Sequence, residues 1–301
     1  MTEPAGTSRG GASPTHQQWA AEALWEALEP VLPGLSIEVV ERIDSTNTEL
    51  LERLRRAARL QQEGRGGRTS DDFSPQMLVA IHQTSGRGRL GRRWQATPGA
   101  SLTFSLALAL RREDWSGLSL AVGLAVAEAL DPQARHIGLK WPNDLMLLPQ
   151  TDAALPAGGT TGPATRKLGG ILIESVATGT RRLAVIGIGL NVDTQRMATT
   201  DVVAGSLAEF MPDASPPAVL ARLGPGLARA LVDFDRQGFA PLAAAYARRD
   251  VLRGQVVRTT DAAAPEGVAE GVSETGALRV ALEGRIQDIV SGEVSVRPQA
   301  A

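Results

Sequence analysis

The stretch Gly86 to Trp94, GRGRLGRRW, sets Arg87, Arg89, Arg92 and Arg93 among three glycines, with no carboxylate between them. Each guanidinium can grip phosphate oxygens with a rigid two-pronged fork, and backbone without Cβ atoms lets N–H groups approach an anion closely. Such a loop suits a triphosphate and its pyrophosphate leaving group. It is not a Walker loop, because no Gly-Lys-Ser/Thr follows. The bland alternative is a solvated turn in an arginine-rich chain. Repulsion among the four cations predicts a loop that is disordered when empty and ordered over an anion.

Four other segments hold residue types that the chain otherwise avoids. Lysine occurs only at Lys140 and Lys167, and asparagine only at Asn47, Asn143 and Asn191. A biased nucleotide composition explains the scarcity but not the positions, which fall in DSTN (Asp44 to Asn47), KWPND (Lys140 to Asp144), KLGG (Lys167 to Gly170) and GIGLN (Gly187 to Asn191). Residues kept against such a bias are candidates for chemistry that arginine or aspartate cannot replace. Each segment also has an ordinary reading: a helix cap for DSTN, a strand exit for KWPND, a guarded strand edge for KLGG and a bulge for GIGLN. In KWPND, Pro142 fixes the backbone and holds Asn143 and Asp144 at a defined exit.

The elements that must position these segments follow from patterning. A helical stripe of Trp19, Leu24, Trp25 and Leu28 follows a polar leader, then come a strand-like IEVVERI and an amphipathic helix opening at DSTN. Strand-like runs at MLVAIHQT and SLTFSLALAL precede an apolar helix near residues 116–130, and GLKWP, KLGGILIESV and LAVIGIGLNV follow. Consecutive strands around one helix predict an α+β fold with a mixed or antiparallel sheet. Residues 201–250 read as largely helical, interrupted at Gly224-Pro225-Gly226, and from Leu252 short Gly-broken strands predict a small SH3-like β-barrel. The expected organisation is a leader with a short helix over 1–35, a catalytic domain over 36–250 and the barrel over 251–301. A low-complexity insertion between Leu148 and Lys167 reads as a surface loop.

Bulk composition narrows the class. A net charge of -2 gives no global attraction to nucleic acid or anionic lipid, so a phosphate site must be local. The absence of cysteine excludes disulfides, thiolate metal sites and a thiol nucleophile, and the three histidines are scattered. No apolar run is long enough to span a bilayer and no signal peptide is evident, which predicts a cytoplasmic protein without a membrane partner.

In this order, and followed by a small β-domain, STN, Gln83 with the arginine loop, KWPND, KLGG and GIGLN resemble biotin protein ligase over roughly residues 43–298. The resemblance implies a catalytic domain like that of class II synthetases. It also implies biotinyl-5'-adenylate formation from biotin and ATP with magnesium, then transfer of biotin to a lysine of a biotin carboxyl carrier protein. Carried over by position, Ser45, Thr46, Asn47 and Gln83 line the biotin pocket, while Arg87, Gly88 and Arg89 close over carboxylate and phosphate, with Gly86 in the same binding set. Lys167, Arg89 and Asp144 would be the catalytic groups, with Lys167 bridging the carboxylate and the α-phosphate. Trp94, Asn143 and Asn191 would surround adenine, Arg92 the phosphates, and Lys140 and Gly170 complete the set. Asp144 could hold magnesium, orient the site or take a proton from the acceptor amine. Too few residues precede the catalytic segment for the winged helix that some members carry, so no operator binding is expected; a homodimer stays open. A lipoate-type ligase and a non-catalytic nucleotide- or RNA-binding module are the rivals.

Overall fold

The computed structural model describes residues 18–62, 73–149, 165–178, 181–193, 204–290 and 297–298. The leader over 1–14, most of the polar loop after the DSTN helix and most of the insertion before Lys167 lie outside the described residues. Helix α1 (Ala21–Leu28), strand β1 (Ser36–Ile43), helix α2 (Thr46–Gln62) and strands β2 (Gln76–Gln83) and β3 (Ser101–Ala109) come first. Helix α3 (Leu118–Leu130) leads to β4 (Ile137–Lys140), β5 (Asp144–Leu147), β6 (Arg166–Thr178) and β7 (Arg181–Asn191), and then to helices α4 (Pro216–Gln237) and α5 (Ala243–Ala247).

The seven strands form one mixed sheet in the order β1-β2-β3-β7-β6-β5-β4. Only β1 and β2 run parallel; every other neighbouring pair is antiparallel. Side chains alternate between faces along each strand. Leu78, Ala107 and Val185 pack with Leu50, Leu51 and Leu54 of α2 on one face, whereas Val79, Leu106 and Ile186 join the larger core with α1, α3 and α4 on the other. Helices on both faces explain why β3 is buried along all but its last residue.

This topology assembles the motifs. Because β1 and β2 are parallel with Ile43 opposite Gln83, DSTN and the arginine loop leave the sheet side by side at the same end. Antiparallel pairing brings the start of β3 and the end of β7 there too, with Ser105 opposite Gly187. Gly170 lies opposite Gly189 on one side and Asp144 on the other, so KLGG and the last residue of KWPND arrive at that end as well.

Two local expectations are corrected. Helix α4 runs unbroken through Gly224-Pro225-Gly226, with Pro225 inside it. A Cβ at Gly224 would stand 3.1 Å from Leu24 of α1, so the glycine serves close helix packing and not a break. The other correction is β5, four residues long, which turns KWPND into the corner of a hairpin and not only a strand exit.

The chain ends in a second, antiparallel sheet of β8 (Val256–Arg258), β9 (Glu266–Val272), β10 (Leu278–Leu282), β11 (Arg285–Ile289) and β12 (Arg297–Pro298), ordered β11-β10-β9-β8-β12. It docks directly behind KWPND. The buried indole of Trp141 donates to the carbonyl of Gly276 at 3.0 Å, in the turn between β9 and β10. A Cβ at Gly276 would stand 2.6 Å from Gly117 Cα, just before α3, so backbone meets backbone there and φ of +80° is free to glycine.

The link between the two sheets contains a buried ion pair, Arg249 with Asp131, each side chain 4% exposed. Asp131 also accepts backbone N–H bonds from Arg135, His136 and Ile137, and Arg249 donates to the carbonyls of Asp131 and Ile137. The end of α3, the start of β4 and the exit to the second sheet are thereby fastened together.

Asp250, the next residue, is less well served. One carboxylate oxygen accepts from the Leu252 N–H, the other is buried with no partner, and burial raises its pKa from 3.8 to about 6. The folded state therefore prefers the neutral acid. That contribution to stability is complete below pH 3.8 and is lost as pH rises through about 6. Asp250→Asn is expected to raise stability by roughly 1 to 3 kcal/mol at pH 8 and to add little near pH 4. Chemical denaturation at the two pH values checks this, and an equal shift at both would count against it. No helix among the described residues is long and apolar enough to cross a membrane.

Candidate functional site

The motif-bearing strand ends enclose a cavity lined by Ser45, Thr46, Asn47, Gln83, Arg87, Gly88, Arg89, Arg92, Trp94, Asn143, Asp144, Lys167 and Gly170 among others. Twelve residues named from sequence for ligand contact, together with Asp144, thus converge on one space. Gly86, Lys140 and Asn191 do not line it.

The floor is polar and almost fully buried, with Ser45, Thr46 and Asn47 each 3% exposed and Gln83 8%. Ser45 stands before α2 and accepts the Thr48 N–H at 3.4 Å, so it caps the helix while facing the cavity. Gln83 Oε1 accepts the Thr46 N–H at 2.7 Å, and the Thr46 hydroxyl lies 2.6 Å from that of Ser105. The Ser105 hydroxyl donates to Asn47 Oδ1 at 2.6 Å, while Asn47 Nδ2 donates to Glu174 Oε2 at 3.1 Å and to the Leu172 carbonyl at 3.3 Å. A hydroxyl has one proton to give, and Ser105 gives its own to Asn47, so towards Thr46 it accepts. The Thr46 hydroxyl lies within reach of both Ser105 and Gln83 Oε1, the latter at 3.1 Å, and Gln83, oriented by the Thr46 N–H, turns its NH₂ elsewhere.

The glycines of GIGLN clear space for this set. A Cβ at Gly187 would overlap Asn47 Oδ1, and one at Gly189 would come within 2.5 Å of the Trp94 ring. The Trp94 indole N–H is buried and has no hydrogen-bond partner among the described residues, so a donor stands ready beside the cavity.

Above the floor the arginine loop closes as a small hairpin. Gly88 N–H donates to Arg92 O at 2.7 Å, Trp94 N–H donates to Gly86 O at 2.8 Å, and Arg87 bridges Arg93. Its tip holds Leu90 in the left-handed region at φ 57°, 56% exposed. The expected repulsion among its arginines is partly offset from outside the loop, since Arg87 meets Glu174 of β6 at 3.3 Å. Arg89 lies 3.4 Å from Asn143 Oδ1, and burial holds its guanidinium below the usual arginine range despite the nearby Asp144. A partly desolvated cation of this kind gains from an anionic ligand.

Lys167 Nζ donates to Asp144 Oδ1 at 2.7 Å. A Cβ at Gly170 would stand 3.6 Å from both side chains, so the glycine leaves room around the pair. Five cations, Arg87, Arg89, Arg92, Arg93 and Lys167, face one lining carboxylate, Asp144. The balance fits a polyanion.

Gly86 forms the neck of the loop, where a Cβ would come within 2.5 Å of Trp94 O. Asn191, 5% exposed, uses its amide on the carbonyls of Lys167 and Gly205, and so fixes the strand that presents Lys167. Lys140 lies in a shallow cleft with Pro142 and Tyr246 that borders the main cavity at Asn143, Asp144 and Ile171. The residues missed were Phe104, Leu172 and Ile188, apolar cavity walls that read as core strand, and the network members Ser105 and Glu174. Ser101, Thr103 and Ser105 at every second position of an otherwise apolar strand were a usable signal.

Comparison with known proteins agrees with this arrangement. Residues 39–191 match the model of the Biotin/lipoate A/B protein ligase family, and residues 254–297 match the Biotin protein ligase C terminal domain. The chain belongs to the biotin/lipoate protein ligase family. This ligase is 32% identical to the Bifunctional ligase/repressor BirA of Escherichia coli, over 88% of this chain and 75% of that protein. It is also 32% identical to the Biotin--[acetyl-CoA-carboxylase] ligase of Mycobacterium tuberculosis, over 86% of this chain and 88% of that one. A structure of the biotin protein ligase from Aquifex aeolicus in complex with biotin and ATP superposes with a TM-score of 0.67 at 28% identity, over 88% of this ligase and 99% of that chain.

Proposed function

We propose that this ligase joins biotin to ATP as biotinyl-5'-adenylate, releasing pyrophosphate, and then passes the biotinyl group to a lysine of the biotin carboxyl carrier protein of acetyl-CoA carboxylase. The observation that carries the choice of acid is the buried polar floor of Ser45, Thr46, Asn47 and Gln83. Biotin's ureido ring offers a carbonyl and two N–H groups to such a floor. Lipoate's dithiolane offers none, and buried polar groups left unpaired discriminate strongly against it.

In the first step a biotin carboxylate oxygen attacks the α-phosphorus and the bond to pyrophosphate breaks. Both reactants are anions, so the cost lies in bringing negative charges together. Lys167 and Arg89, which line the cavity, are the cations we assign to a carboxylate and an α-phosphate that share them, and Arg87, Arg92 and Arg93 in the same lining are assigned to the remaining phosphates. No base is required, because the acid is already ionised at neutral pH. Trp94 and Asn143 are the groups available to the adenine. Magnesium would enter with the nucleotide, and Asp144 is the lining carboxylate able to bind it.

In the second step the acceptor amine attacks the acyl carbon and AMP leaves. The amine must be neutral, and Asp144 is placed to receive its proton. A second hollow meets the first at Arg89, Asn143 and Ile171 and is bounded by Trp115, Ile173 and Arg182. It provides a route for the acceptor lysine. In this reading residues 36–250 form the catalytic domain, and residues 251–301 form an appended domain that props KWPND from behind.

Pyrophosphate release from ATP, without acceptor, with biotin, lipoate or octanoate tests the assignment. Release with biotin alone is expected. Release with lipoate but not biotin would overturn the choice of acid, and none with any acid would favour a binding module.

A further inference from the structure

Glu174 is a carboxylate that the proposed chemistry does not use, yet it sits between two parts of the site. It lies two residues beyond Leu172 on β6, on the face where Asn47 crosses Gly187. One oxygen meets Arg87 of the loop at 3.3 Å, and the other accepts from Asn47 of the floor at 3.1 Å. We infer that Glu174 is a positioning residue that ties the arginine loop to the floor and, with the Leu172 carbonyl, holds the Asn47 amide in its orientation under the acid.

The argument rests on acceptor chemistry. A carboxylate can only accept, so it forces Asn47 to present its NH₂ towards β6 and its Oδ1 towards Ser105. The Leu172 carbonyl supports the same orientation at 3.3 Å, and Ser105 then turns its acceptor side to Thr46. An amide at 174 would offer a donor and an acceptor to two groups that both donate. One of them must then lose its partner, and Asn47 keeps only the longer bond to Leu172 to hold its amide in place. Glu174 is 23% exposed and Arg87 46%, so the ion pair contributes modest energy; its role is geometric.

The inference rests on the reading of the acid as biotin, and Glu174→Gln in the full chain tests it in two ways. Initial trypsin cleavage within the loop, without ligand, should be about fivefold faster than in the parent, with other sites unchanged. In biotin-dependent pyrophosphate release, KM for biotin should rise about tenfold, the loss of one charge-assisted hydrogen bond, while KM for ATP, whose phosphates Arg87 also faces, rises by no more than about threefold and kcat stays within about twofold. Glu174→Asp keeps the acceptor-only character and should stay within about threefold of the parent.

Unchanged loop cleavage, KM for biotin within about twofold of the parent, or equal losses from the two variants overturns the inference. So does a parallel loss for both substrates with a lowered Tm, or a Glu174→Gln chain that does not fold, since either assigns the residue to stability alone. If the parent releases no pyrophosphate with biotin, it is the functional reading that fails, and loop cleavage alone decides the tether.

Discussion

Lys167→Arg should lower biotin-dependent pyrophosphate release by about 100-fold or more, although it keeps the positive charge. The lysine ammonium is a compact point charge already 2.7 Å from Asp144, in a space that Gly170 leaves open. A guanidinium is planar and wider, and it would be driven against Asp144 or away from the point that two anions must share. The loss should fall on kcat, because the bridge matters most as charge gathers around phosphorus. Asn191 and Gly205 hold the backbone of residue 167 and not its side chain, so Tm should hardly change. Single-turnover adenylate formation provides the measurement, and a rate within about threefold of the parent would remove Lys167 from the reaction.

Arg249→Met is expected to have the largest effect on stability, a loss of about 3 to 5 kcal/mol. The variant leaves the Asp131 carboxylate buried with its three backbone donors but no cation, and it removes the guanidinium bonds to the carbonyls of Asp131, which keeps the Ala134 N–H, and Ile137. Arg249→Lys should rescue little, because one ammonium cannot reach the carboxylate and both carbonyls at once. Urea denaturation checks both variants. A loss below about 1 kcal/mol would mean that the network is incidental. Because β4 begins inside this network and ends at KWPND, residual folded Arg249→Met should also adenylate biotin poorly.

Much of the site was legible because the chemistry needs residue types that this chain otherwise avoids. Lys167, Asn47 and Asn143 stood out by scarcity, and the strand ends that carry them followed from patterning. Scarcity does not say what a rare residue is kept for. A rare residue can be kept for holding a backbone, as Asn191 holds that of Lys167, and sequence does not distinguish that from holding a ligand. Glu174 was invisible for a different reason: its partners are Asn47 and Arg87, distant in sequence, and only the sheet register brings them together. The unbroken α4 shows local propensity losing to packing, since Gly224 is needed where Leu24 presses against the helix. β5 was too short to announce itself, being four residues behind a proline turn.

The hydrogen bond from Trp141 to Gly276 joins positions 135 residues apart. At a ribosome's pace of about 5 to 20 residues per second, it can close only about seven to thirty seconds after Trp141 has been made. Until then the corner bearing Asn143 and Asp144 is held by Ser119 and Ile171 but lacks this prop from the second sheet. The nascent chain can therefore build its sheet before the corner that carries Asn143 and Asp144 is fully backed.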